Sequence, residues 1–172
     1  FTAEYKGSQF KFLCFGTSFD KFGYYPGDKV DVLSHIEINE YNDKKSVSVR
    51  VKDIRRSDFT QDKYFAARNF YEKILRGEKT DSRLLKRILP DKENMKLPFD
   101  LARKLTSIDS AAQIAMSHGM NYCLFMMCLH VFAEFGHLEL DRINGTMNFI
   151  KGGRRIELEN SAVIRRIMKS CS

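Results

Sequence analysis

Four histidines and four cysteines are the residues of this 172-residue chain that could most readily hold a metal or act as nucleophiles. His35, His118, His130 and His137 are scattered, with no HxH or HxxxH spacing that would set two imidazoles on one side of a helix or strand. Cys14, Cys123, Cys128 and Cys171 lack CxxC spacing and the density of a disulfide framework, so they are expected as reduced thiols, Cys14 and Cys128 inside apolar runs. No serine or cysteine stands in a recognisable relation to a base. Gly152-Gly153-Arg154-Arg155 lacks the strand–loop–helix setting of a phosphate loop. The reading assigns no catalytic residue, metal ligand or cofactor to these residues. What remains chemically suggestive is cationic and aromatic: "EINEYNDKKSVSVRVKDIRRS", residues 37–57. Asn39, Tyr41, Asn42, Lys44, Lys45, Ser48, Arg50 and Lys52 crowd onto the turn and one side of this stretch. Cations along a phosphate backbone with an aromatic under a base are the components of single-strand binding. On pattern alone a solvated strand face is the stronger reading, because Glu37 and Glu40 offset part of the positive field.

The elements that must position these groups follow from periodicity. Val47, Val49 and Val51 alternate with Ser46, Ser48, Arg50 and Lys52, the period of two of a half-buried strand. Before the turn at 41–44, residues 29–40 place Val30, Val32, Ser34, Ile36 and Ile38 on one face. Residues 1–5 and 9–15 form two further strands about a turn at Lys6-Gly7-Ser8, the second dense in Phe and expected to be buried on much of both sides. Gly23, Pro26 and Gly27 make 17–28 a loop. Four strands in a meander predict a small antiparallel barrel with one strand missing, which points to truncation before Phe1.

At Ser57 the period changes. Asp58-x-x-Gln61 resembles a capping box and predicts a helix to about Leu75, stopped by Gly77. A short helix near 84–89, helices at 101–105 and 111–117, and an apolar helix over 121–135 follow, capped by Gly136. Asn144-Gly145 and Gly152-Gly153 predict hairpin turns, and a last helix ends near Lys169. The fold class is therefore α+β: an antiparallel barrel over 1–56 like the oligonucleotide-binding barrels, then a helical, winged-helix-like domain over 57–172.

Composition sets the outer bounds. A 43% hydrophobic content with 14 Phe supplies a core, and the +7 balance of 29 Lys+Arg against 22 Asp+Glu admits a polyanionic partner. Cations exceed acids by two in 1–56, four in 57–105 and one in 106–172, so no segment is a basic tail. No apolar run reaches transmembrane length and no signal peptide is evident, so a cytoplasmic protein is expected. The 121–135 helix shows no Arg, Asn or Gln after Asn121 to read base edges, which disfavours a sequence-specific duplex regulator.

The motif order "FKFLCFG…GDKVDVLSHIEINEYNDKKSVSVRVKDIR" resembles the barrel region of RecJ, the single-stranded-DNA-specific 5′–3′ exonuclease family of bacteria. There an "FG" strand precedes an "EINEWNG" hairpin and a strand ending in "DIR". "LHVFAEFGHLEL…RRIELENSAVIRRI" resembles the additional C-terminal domain of many Firmicute-type members. Tyr41 stands where the family tends to have Trp, Asp43 where it has Gly, and Ser48 where it favours Gln. The resemblance implies a parent enzyme of DNA repair and recombination whose Mn²⁺ or Mg²⁺ phosphoesterase core lies before Phe1. This chain alone would be an inactive accessory region holding single-stranded DNA. Carried onto matching positions, the binding residues are Asn39, Tyr41, Asn42, Arg50, Lys52 and Arg55, with Lys44 and Lys45 added for charge. An alternative reading makes the second domain a docking module for a repair partner, such as the acidic tail of single-strand-binding protein, through Arg154 and Arg155.

Overall fold

The computed structural model describes residues 1–17, 22–41, 44–57 and 59–169, with Tyr41 described by its backbone alone. The fold is α+β, in two compact units, Phe1–Asp58 and Phe59–Ser172.

The first unit is a sheet. Strand β1 (Thr2–Tyr5) turns through Lys6 and Gly7, both at positive φ (50° and 78°), into β2 (Ser8–Leu13). Two central residues at positive φ are what a two-residue type I′ hairpin requires, because that turn matches the right-handed twist of its strands. Strand β3 (Val30–Tyr41) pairs antiparallel with β4 (Lys44–Arg56) along its whole length, and one extra residue, Lys52, is bulged opposite Leu33/Ser34. The turn residues between β3 and β4, and the proposed helix cap Asp58, lie outside the described residues.

The sheet order is β1-β2-β4-β3, and β2 runs parallel to β4, with Phe12 opposite Val49 and Leu13 opposite Arg50. The expected all-antiparallel meander is thereby corrected: this is a mixed, open sheet, and no closed barrel forms among the described residues. The physical reason is the long connection between β2 and β3. A parallel pair needs a crossover rather than a tight turn, and this connection carries β3 to the outer edge so that β4 returns beside β2.

Register assigns the two faces. Phe10, Phe12, Val47, Val49, Val51, Ile36 and Ile38 share one; Lys11, Leu13, Ser48, Arg50, His35, Glu37 and Asn39 share the other. The apolar face is poorly covered. Ile36, Ile38 and Val47 are 65%, 72% and 67% exposed, and Phe10 and Phe15 are exposed too, against the expectation of half-buried and doubly buried strands. The alternation holds, but within this unit no described residue buries these side chains. Among the described residues, the buried side chain of this unit is a cation: Arg56 pairs with Asp28 at 2.6 Å, donates to the Gly23 carbonyl and lies over the Tyr24 ring.

The second unit holds the apolar core. Helix α1 (Gln61–Leu75) begins after Thr60, whose side chain makes no cap bond, and ends at Arg76-Gly77. Helix α2 (Ser82–Lys86) is capped by Asp81, which accepts from the Arg83 amide at 2.8 Å. Helices α3 (Lys96–Lys104) and α4 (Ile108–Ser117) lead to α5 (Tyr122–Glu134), where Asn121 Oδ1 accepts the amides of Cys123 and Leu124. Helix α5 is apolar around most of its circumference because α1, α3, α4, β5 and α6 all pack on it. Strands β5 (Leu138–Asp141) and β6 (Thr146–Phe149) form the hairpin expected at Asn144-Gly145. The second predicted hairpin, at Gly152-Gly153, is absent. Residues there are instead fixed to the end of α5: the Arg154 amide donates to the Phe135 carbonyl, and His137 Nε2 lies 2.8 Å from the Arg154 carbonyl. A Cβ on Gly153 would stand 2.5 Å from that imidazole, so any side chain there must displace the ring. Helix α6 (Ala162–Lys169) closes the unit.

Candidate nucleic-acid interface

Parallel pairing of β2 with β4 brings together groups that are far apart in sequence. Leu13 lies opposite Arg50, and Phe15, two residues beyond, places its ring 5.4 Å from the Arg50 guanidinium. Phe15 is 69% exposed. An uncovered aromatic beside a cation offers a stacking surface and a phosphate contact at one spot. Lys11 shares this face through β2, and Lys44 shares it through the far end of β4. Neither Phe15 nor Lys11 is found by sequence periodicity, because a strand's own alternation does not disclose which strand it will lie beside.

The proposed binding residues divide as follows. Asn39, Lys44, Ser48, Arg50 and Arg55 lie on the polar face, and Asn39 Nδ2 donates to Ser48 Oγ at 3.1 Å. Lys45 is on the apolar face, 4.0 Å from Glu40, because it is one residue out of phase with Lys44. Lys52 sits at the bulge and leaves the alternation that predicted its side. The Tyr41 side chain and all of Asn42 lie outside the described residues.

Acids run through this face and moderate its field. Glu37 holds Arg50 Nε at 3.2 Å and lies 3.7 Å from His35 Nε2. Asp31 pairs with Arg55 at 3.0 Å and accepts from Ser57; the Ser57 bond first, then that from Arg55, holds the Asp31 carboxyl below its usual range. Exposed pairs of this kind are worth about 0–1 kcal/mol each and yield to a competing anion. Lys11, Lys44 and Lys52 make no ion pair with the other described residues, so they supply the uncompensated charge.

In the second unit, Arg154 is spent internally: Nη2 donates to the Glu134 carbonyl at 3.2 Å and the guanidinium lies over Phe135. Arg155 is exposed. His118 and His137 bond backbone carbonyls, and His130 lies 3.0 Å from Tyr71 Oη. Burial, then Arg142, pulls the His130 pKa down to about 4, so this imidazole is neutral at physiological pH. Burial likewise pushes the Cys123 and Cys128 thiols up to about 12, far from the thiolate that nucleophilic or metal chemistry needs. Among the described residues no group of three His, Cys, Asp or Glu side chains is placed to hold a metal ion, and no helix is long and apolar enough to cross a membrane. No family model, curated protein or solved structure matches this chain.

Proposed function

We propose that residues 1–58 hold single-stranded nucleic acid on the polar face of the sheet, as an accessory region of a RecJ-type exonuclease whose hydrolytic centre lies elsewhere. The observation that carries this reading is the juxtaposition of Phe15 and Arg50 at 5.4 Å on the face that also bears Lys11, Lys44, Ser48 and Asn39. One base stacked on Phe15 contributes about 1–3 kcal/mol, and the cations add a salt-dependent term. The acids on the same face keep affinity modest, which suits a surface that must let a strand slide.

Sheet topology supports a barrel of the oligonucleotide-binding kind. That architecture is a five-stranded, partly open Greek-key barrel. The order β1-β2-β4-β3, with its parallel central pair, has the free edges of β1 and β3 on either side of a cleft of about 1000 Å³ lined by Phe1, Ala3, Tyr5, Phe22, Val30 and Ile54. A fifth strand pairing with both edges would close the sheet over its exposed apolar face.

Fluorescence anisotropy with labelled oligo-dT and with a duplex of equal length tests the proposal. Binding should favour the single strand, weaken with salt, and fall on Arg50→Ala combined with Lys52→Ala or on Phe15→Ala. Unchanged affinity in both variants at low salt would show that the strand lies on some other face.

A further inference from the structure

The second unit carries a pocket of about 300 Å³ that the reading above does not use. Its walls come from four elements: Ile74 and Leu75 at the end of α1, His130 on α5, Arg142 in the β5–β6 turn, and Val163, Arg166 and Ile167 on α6. Four of these side chains are aliphatic, and none of the seven is a carboxylate. We propose that this pocket is a binding site for a small monocarboxylate with an apolar body, the aliphatic walls taking the body and Arg166, Arg142 and His130 surrounding the carboxylate.

The donors are arranged for an anion. Arg142 is paired with Glu72 at 2.5 Å. Among the described residues, Arg166 makes a long 3.4 Å bond, from Nη2 to the Leu75 carbonyl, which a carboxylate could replace with a shorter charge-assisted one. Of the two guanidinium groups, that of Arg142 is paired with Glu72, while the Glu134 carboxylate meets the amide of the wall residue Val163. His130 is neutral and its Nδ1 faces Tyr71 Oη at 3.0 Å. When the phenol donates that bond, the imidazole proton resides on Nε2, making His130 a further donor. The volume lies at the small end of ligand sites, enough for a phenyl or branched alkyl group.

The test uses the full chain, isothermal calorimetry and the His130 imidazole resonances. The probes are 3-phenylpropionate, its neutral amide and inorganic phosphate. The acid should bind and shift the His130 resonances, with the amide and phosphate each at least about tenfold weaker, since charged hydrogen bonds and apolar contact are both needed. Arg166→Gln should weaken the acid about fivefold or more and leave the amide unchanged. Val163→Phe, which fills the pocket, should abolish binding of both; its amide spectrum verifies the fold, and Arg166→Gln decides the matter if Val163→Phe is unfolded. Equal affinity for acid and amide, phosphate binding as tightly as the acid, or an acid that moves no His130 resonance would overturn the proposal.

Discussion

Glu37 should restrain strand binding, and removing its charge should tighten it. In the structure its carboxylate sits 3.2 Å from Arg50 Nε, at the spot where Arg50 lies over Phe15. A phosphate reaching Arg50 must displace or tolerate this carboxylate. Two unit charges about 4 Å apart interact by about 1 kcal/mol in a water-like dielectric, and both partners are substantially exposed. Glu37→Gln is therefore expected to strengthen oligo-dT binding by about two- to fivefold at low salt. It should also steepen the salt dependence: freeing one cation adds about 0.7 to the slope of log affinity against log salt for a single strand. Anisotropy titrations at several salt concentrations measure both quantities, with Glu40→Gln on the opposite face as the control. The reasoning is refuted if Glu37→Gln binds no more tightly than the parent, or if Glu40→Gln produces the same gain.

Three further outcomes concern the second unit. Glu134 accepts from Ser161 Oγ and from the Ala162 and Val163 amides, so it caps α6 from a distant helix. Burial raises its pKa, but these hydrogen bonds outweigh burial and hold the carboxyl below its ordinary value. The stabilisation is then present above the unfolded carboxylate pKa and lost as pH falls through the lower folded value; urea unfolding of Glu134→Gln should show about 1 kcal/mol lost at pH 7 and little difference in strong acid. Gly153→Ala should cost about 1–3 kcal/mol, because the added methyl forces the His137 ring off the Arg154 carbonyl, and the His137 resonances should move with it. Leu129→Ala, at the fully buried centre of α5, should cost about 2–5 kcal/mol in the same assay.

Local signals made much of this fold legible. The apolar run of 121–135 was legible as a core helix, whereas the caps at Asp81 and Asn121 were not singled out, although each is a bond between neighbours in sequence. Alternation in β3 and β4 assigned Ser48 and Arg50 to one side and the valines to the other. What alternation could not give was partnership. The β2–β4 pairing that sets Phe15 beside Arg50 depends on a crossover, the bulge at Lys52 shifts its phase, and Lys45 was included for charge although it faces the other way. That Glu37 offsets positive charge on this face was legible, but its pairing with Arg50 in particular follows only from the strand register. Glu134 capping a helix nearly thirty residues away likewise leaves no local trace.

The uneven distribution of packed side chains has a calorimetric consequence. Heat-capacity change on unfolding scales with the apolar area newly hydrated, and among the described residues the fully enclosed hydrophobes all belong to the segment after Phe59. The sheet has little such area to release, so its melting should carry a small heat-capacity change, its described residues being held mainly by ladder bonds and the Arg56–Asp28 contact. A scanning trace dominated by one sharp endotherm from the helices, with the strand residues already exchanging their amides at lower temperature, is the behaviour this architecture dictates.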